Sequence, residues 1–115
     1  MIDFACRQFN LDEIIKCGLS LTKKELEIMY YFLKSKDAEY TTYKIAEDLN
    51  LNLTTVQKAV KKLYEKNIIL RHQKNLEKGG YIYTYECSTK KKIREILKEI
   101  IRSWSSNVEK QIDRW

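Results

Sequence analysis

Apolar residues recur at three- and four-residue spacing along most of this chain and switch to every second position only between Ile68 and Cys87. The pattern predicts four helices, a hairpin and one long final helix. The first helix is LDEIIKC, with Asn10 as its N-cap and Gly18 as its stop. Thr22-Lys23-Lys24-Glu25 is a capping-box pattern, in which the hydroxyl and the carboxylate each accept from a free backbone N–H. It opens a helix through LEIMYYFLKS whose apolar face is Leu26, Met29, Tyr30, Phe32 and Leu33. Ala38 to Thr41 reads as a short strand or extended link, after which Thr42 is expected to cap YKIAEDL. A turn at Asn50-Leu51-Asn52 leads into the fourth helix, capped by Asn52 and closed by Asn67 in the left-handed conformation. Ile45, Leu49, Leu51, Leu53, Val56, Val60 and Leu63 are spaced to close one small core.

The alternating stretch reads as two strands, Ile68 to His72 and Tyr81 to Cys87, with Gln73 to Gly80 as the loop and Gly79-Gly80 supplying its turn. Tyr81, Tyr83 and Tyr85 fall on one face, Ile82 and Thr84 on the other. A tyrosine stripe can stack on single-stranded bases, but here it is expected to pack against the helices as sheet core. His72 is read as an ordinary polar strand residue. After Ser88 and Thr89, either of which can cap it, the last helix runs about 40 Å to the chain end if unbroken. Ile93, Ile96, Leu97, Ile100, Ile101, Trp104, Val108, Ile112 and Trp115 drift along one side of it. So long a stripe exceeds what a small domain can cover, and a two-fold partner is the economical solution. Ser103 to Asn107 has weak helix propensity and offers a place for the helix to bend or end.

At 115 residues, 43% hydrophobic and 33% charged, the chain has room for one modest core. The expected organisation is residues 1–88 as one domain and residues 89–115 as a C-terminal helix for dimerisation. The fold class is mainly α with a small β-hairpin, that is α+β. The apolar runs are too short for a membrane span, and MIDFACRQFN lacks the basic and long apolar regions of a secretion signal, so the expected location is cytoplasmic. Cys6, Cys17 and Cys87 are too scattered for a disulfide framework, and a zinc site would need all three together with His72. No cofactor is expected. Cys6 and Cys17 are read as small apolar side chains, with redox sensing as the alternative.

Charge changes the picture more than composition does. Between Thr54 and Lys92 lie ten Lys or Arg against three Glu, a net +7, whereas the rest of the chain is −1 within a total of +6. The excess sits on the fourth helix, the hairpin and the start of the last helix, a footprint suited to a polyanion. On a 3.6-residue period, Leu53, Val56, Ala59, Val60 and Leu63 face inward, and Thr54, Lys58, Lys61, Lys62 and Glu65 face outward with Thr55 and Gln57 beside them. Gln can pair with adenine and Thr can pack on a thymine methyl, while lysines more often hold phosphates. The expected DNA-contacting set is Thr42, Tyr43, Lys44, Asn52, Thr54, Thr55, Gln57, Lys58, Lys61 and Lys62, with Arg71, Lys74, Asn75 and Lys78 from the hairpin. The expected dimer contacts are Ile93, Leu97, Ile100, Trp104, Val108 and Ile112.

The run from Ile45-Ala46 through Leu49-Asn50-Leu51-Asn52, Thr55 to Leu63, Asn67-Ile68-Ile69 and Gly79 to Tyr85 resembles the winged helix-turn-helix regulators of archaea, of the TrmB-like and MarR-like kind. The resemblance covers about residues 20 to 88. It implies a homodimeric, sequence-specific regulator of transcription, with the recognition helix in the major groove of double-stranded DNA and the wing beside it. It departs from full-length TrmB proteins in lacking their sugar-binding domain. Tyr30, Tyr31, Phe32 and Trp104 can either line an effector space or pack as ordinary core. Two other readings remain: a winged-helix protein-interaction subunit, and a chromatin-coating protein of low specificity. No nucleophile with its base, paired carboxylates or phosphate-cradling glycine loop points to an enzyme.

Overall fold

The computed structural model describes residues 2–4, 7–35 and 38–115. The elements are β1 (Ile2–Phe4), β2 (Arg7–Phe9), α1 (Leu11–Gly18), α2 (Lys23–Lys34), α3 (Thr42–Leu49), α4 (Leu53–Glu65), β3 (Ile69–Asn75), β4 (Tyr81–Cys87) and α5 (Lys90–Asp113). This is an α+β winged helix-turn-helix with a long C-terminal helix, preceded by a small antiparallel hairpin of β1 and β2. The sequence pattern does not announce that first hairpin: its strands are three residues each, too short for an alternation signal. No helix among the described residues is long and apolar enough to cross a membrane.

Local chemistry sets the helix boundaries. Asn10 Oδ1 accepts from the Glu13 N–H at 3.3 Å. In the capping box, the Glu25 N–H donates to Thr22 Oγ1 at 3.2 Å and the Thr22 N–H donates to Glu25 Oε1 at 2.8 Å. Thr41 caps α3 by accepting from the Lys44 N–H at 3.2 Å, whereas Thr42 is its first helical residue. This corrects the assignment of Thr42 as cap. Tyr40 exchanges backbone hydrogen bonds of 2.8 Å in both directions with Tyr85, and this bridge places the end of the extended link one residue earlier. Asn50, directly after α3, and Asn67, one residue further past the end of α4, both adopt left-handed conformations, with φ of 52° and 63°. Asn and Gly tolerate this region best.

The core is one cluster in which Phe32, Ile28 and Met29 of α2 meet Ile45 of α3, Val56, Ala59, Val60 and Leu63 of α4, and Ile68 and Ile69 at the base of the wing. Of the seven residues assigned to this core by spacing, Ile45, Val56, Val60 and Leu63 are fully buried, and Leu49 and Leu51 pack around them. Leu53 is half-buried.

Helix α5 is continuous through Ser103 to Asn107. Its first half belongs to the domain: Ile93 is buried, and Ile96, Leu97 and Ile100 pack against the core. A Cβ built on Gly18 would stand 3.3 Å from Ile100 Cγ2, so α1 and α5 are in close contact there. From Ile101 onward every residue is exposed, and the helix extends away to give the molecule its 62 Å long axis. The single stripe read along the sequence is therefore two surfaces. Ile93, one of the expected dimer contacts, is buried in the chain's own core.

Candidate nucleic-acid interface

Helix α4 follows α3 through the three-residue turn Asn50 to Asn52, and Asn52 Oδ1 accepts from the Thr54 N–H at 2.8 Å to start it. With Val56, Ala59, Val60 and Leu63 buried, the helix has one rotational setting, which leaves Thr54, Gln57, Lys58 and Lys61 exposed and Thr55 half-buried. Lys58 and Lys61 have no carboxylate within ion-pair distance among the described residues. They are ammonium groups directed to solvent from the helix that the fold presents outward.

Lys62 is engaged elsewhere. Its Nζ stands 2.7 Å from Glu25 Oε1 and donates to the Ser20 carbonyl at 2.9 Å, tying α4 to the start of α2. Lys62 is half-buried, and one residue past Lys61 is a 100° rotation, which carries it toward the α2 flank.

On α3, Thr42 is half-buried and Tyr43 is 68% exposed. Lys44 Nζ lies 3.1 Å from Asp48 Oδ1, and this partner raises the pKa of its ammonium. The other Asp48 oxygen accepts from the Tyr31 hydroxyl at 2.6 Å, which ties α3 back to α2.

The wing is longer than the alternation implied. Strand β3 continues to Asn75, so Lys74 and Asn75 lie within the strand and the loop is only Leu76 to Gly80. Gly79 and Gly80 have φ of 91° and 80°, and Leu76 donates its N–H to the Gly80 carbonyl at 3.0 Å. Lys78 is exposed in this loop. Register pairs Arg71 with Tyr85, Gln73 with Tyr83 and Asn75 with Tyr81 on one face, and His72 with Thr84 and Lys74 with Ile82 on the other.

The tyrosine stripe is not all core. Tyr85 packs against the core, Tyr83 is half-buried and Tyr81 is 54% exposed, because β4 runs outward past the helices that would cover it. Thr84, on the opposite face, is the buried member of β4; its hydroxyl donates to Glu39 Oε1 at 2.7 Å. Glu39 Oε2 also stands 3.4 Å from Lys74 Nζ, and His72 Nε2 is 2.6 Å from Glu86 Oε1. Two wing side chains thus have acidic neighbours, of which Glu39 comes from a stretch that the sequence pattern marks as a short strand or extended link.

Arg71 is held differently. Its guanidinium carbon lies 4.4 Å from the ring centroid of Tyr64, at the end of α4, and 4.4 Å from that of Tyr83. Tyr64 does not stand out in the sequence as part of a site, and Tyr83 does so only as a member of the tyrosine stripe. The available signal is that Tyr83 sits diagonally across from Arg71 in the hairpin register.

Of the proposed effector-lining aromatics, Phe32 is fully buried, Tyr31 stacks edge-on against it and against Tyr40, Tyr30 donates its hydroxyl to Asp12, and Trp104 is 62% exposed on the far part of α5. They do not share one cavity. An open groove of about 980 Å³ lies instead between the end of α4 and α5, lined by charged residues such as Lys66, Lys92, Glu95 and Arg102. Cys17 is exposed, Cys87 is half-buried, and Cys6 lies outside the described residues. No cluster of His, Cys, Asp or Glu fit for a metal occurs among the described residues.

The sequence matches the DnaD N-terminal domain over residues 9–111, which is most of the chain. The chain belongs to the DnaD N-terminal domain family. Of the resemblance read from the sequence, this match and the structural neighbours support the winged-helix part and not the TrmB-like specificity. An uncharacterized Methanocaldococcus jannaschii protein, MJ1082, is 34% identical over 104 residues, covering 90% of this chain and 84% of its own length. Among solved structures, a Methanosarcina mazei Go1 protein described as a possible transcriptional regulator superposes with a TM-score of 0.93 at 43% identity, covering 100% of this chain and 96% of that one. A point mutant of Staphylococcus aureus MepR, solved bound to an oligodeoxyribonucleotide, superposes with a TM-score of 0.53 at 13% identity over 94% of this chain and 86% of its own. At that identity the likeness to MepR shows a shared fold.

Proposed function

We propose that this chain is a sequence-specific, double-stranded DNA-binding regulator of transcription that acts as a homodimer. The observation that carries the reading is the exposed face of α4, where Thr54, Gln57, Lys58 and Lys61 stand together without an ion-pair partner among the described residues, in a segment of net charge +7. Supporting it are the description of the 43% identical Methanosarcina mazei protein as a possible transcriptional regulator and the oligodeoxyribonucleotide bound to MepR, which has the same fold.

In this reading α4 enters the major groove. Gln57, Thr54 and Thr55 address base edges, Lys58 and Lys61 hold phosphates, and Asn52, Thr42, Tyr43 and Lys44 meet the backbone beside the helix start. Arg71, Lys74, Asn75 and Lys78 form the wing contact. Lys74 must exchange Glu39 for phosphate to take part, and Lys44 must do the same with Asp48. The exposed apolar side chains Trp104, Val108 and Ile112, with Ile101 and Trp115, are the dimer surface, and Leu97 and Ile100 form its boundary with the domain. Two α4 helices then read half-sites separated by about one helical turn.

The decisive experiment is selection of bound sequences from a random duplex pool at near-physiological salt, because specificity separates the readings better than affinity does. Recovery of an inverted repeat is the expected result. Recovery of unselected sequence indicates DNA coating, and no recovery indicates a protein-docking module; either overturns the proposal.

A further inference from the structure

The guanidinium of Arg71 lies between a ring of α4 and a ring of β4, 4.4 Å from each centroid, well inside the range at which a cation is attracted to an aromatic face. It is exposed, and no carboxylate pairs with it among the described residues, whereas its strand neighbours His72 and Lys74 face Glu86 and Glu39. The positive charge of Arg71 also acts on the phenol of Tyr85, its partner in the register. A guanidinium carries five N–H donors in one plane, so these contacts fix the plane without using most of its donors. An arginine ordinarily loses rotamer entropy when a ligand immobilises it, and here part of that ordering precedes any ligand. The outcome is a fixed planar fork at the junction of recognition helix and wing, within the basic segment. A planar fork matches two oxygens of one phosphate, which a lysine cannot do.

We propose, resting on the duplex-binding reading above, that Arg71 binds a backbone phosphate of duplex DNA in bidentate fashion and that Tyr64 and Tyr83 are its positioning residues. The two tyrosines act through Arg71. They lock the wing to the end of α4, so the phosphate between helix and wing is held at a set distance from the base-reading residues Thr54 and Gln57.

The test is an anisotropy titration of the full chain against a labelled mixed-sequence duplex at several salt concentrations, with thermal melting of every variant as a check of folding. Arg71→Ala is expected to lower affinity about tenfold for all sequences alike and to reduce the salt slope by about one counterion. Arg71→Lys keeps the charge and the slope but not the affinity, because the fork is lost. The pair Tyr64→Ala and Tyr83→Ala weakens binding about threefold with the slope intact, and Tyr64→Phe with Tyr83→Phe restores it, since the ring face and not the hydroxyl holds the cation. If Arg71→Ala leaves affinity and slope unchanged while Lys58→Ala with Lys61→Ala reduces both, the stack is a helix-to-wing tie only and the phosphate assignment is wrong. A loss confined to one base pair of the site likewise overturns it in favour of base reading. If the two lysine substitutions also change nothing, the duplex-binding reading itself fails.

Discussion

Lys62 Nζ stands 2.7 Å from Glu25 Oε1, so one lysine of the expected DNA-contacting set clasps α4 to the capping box of α2. Glu25 is only 8% exposed and its same oxygen accepts from the Thr22 N–H. One carboxylate therefore both caps a helix and anchors its neighbour, and several consequences can be measured.

Removing the lysine leaves a buried carboxylate with its backbone donor and Thr22 but no counter-charge. Lys62→Met is expected to destabilise the fold by about 2 kcal/mol in urea unfolding, while leaving the salt slope of DNA binding as it was. A change of slope would return Lys62 to the interface.

The same site predicts an acid limb. Burial pushes the Glu25 carboxyl upward, but the Lys62 hydrogen bond, the Thr22 N–H and the Lys62 charge together outweigh it and hold the pKa below the ordinary 4.5. A depressed folded-state value means stability that is present above 4.5 and lost as pH falls through the lowered value. In a melting series between neutral and acidic pH, the wild type should lose more stability below that point than Glu25→Gln does.

At the alkaline end the phenols decide. Burial first, then the hydrogen bond to Asp12 and its charge, push Tyr30 up to about 12 from 10.0. Burial and the Asp48 contact push Tyr31 higher still. With folded values raised, their contribution is intact below about 10 and fades as pH rises further. Ultraviolet titration should find Tyr30 and Tyr31 among the late-ionising tyrosines, and Asp12→Asn should bring Tyr30 back toward 10.0.

On α4, Lys58→Ala with Lys61→Ala should reduce the salt slope of duplex binding by about two, and Gln57→Ala should cost about 1–3 kcal/mol on the preferred sequence but little on an unrelated duplex. Equal losses on both duplexes would remove Gln57 from base recognition.

Trp104→Glu with Ile112→Glu places charges at side chains that are 62% and 60% exposed in the single chain, so the folded domain should be unaffected by them. Sedimentation equilibrium is expected to show a dimer for the wild type and a monomer for this variant, with matching far-ultraviolet spectra. A monomeric wild type would refute the dimer.

The features legible in the sequence are those set within a few residues of one another. Asn10, the Thr22 and Glu25 pair, Asn52 and Asn67 announce their helix ends because a cap acts over two or three positions, and each holds in the structure. The buried side of α4 is equally local, since four apolar residues at helical spacing allow one orientation. Alternation located the wing, and the segregated charge pointed to a partner class. What the sequence alone left undetermined depends on neighbours distant along the chain. Adjacent threonines at 41 and 42 offer equal caps, and only the Tyr40 bridge to Tyr85 chooses between them. A strand's two faces look alike until helices cover one, which is why Thr84 is buried while Tyr81 is exposed. The same holds for Lys62 against Glu25, Lys74 against Glu39 and Arg71 between Tyr64 and Tyr83: long cationic side chains reach partners that tertiary packing supplies. Likewise the apolar stripe of α5 is continuous in sequence, but a domain this size covers it only as far as Ile100, and tertiary structure divides it into core and exposed surface.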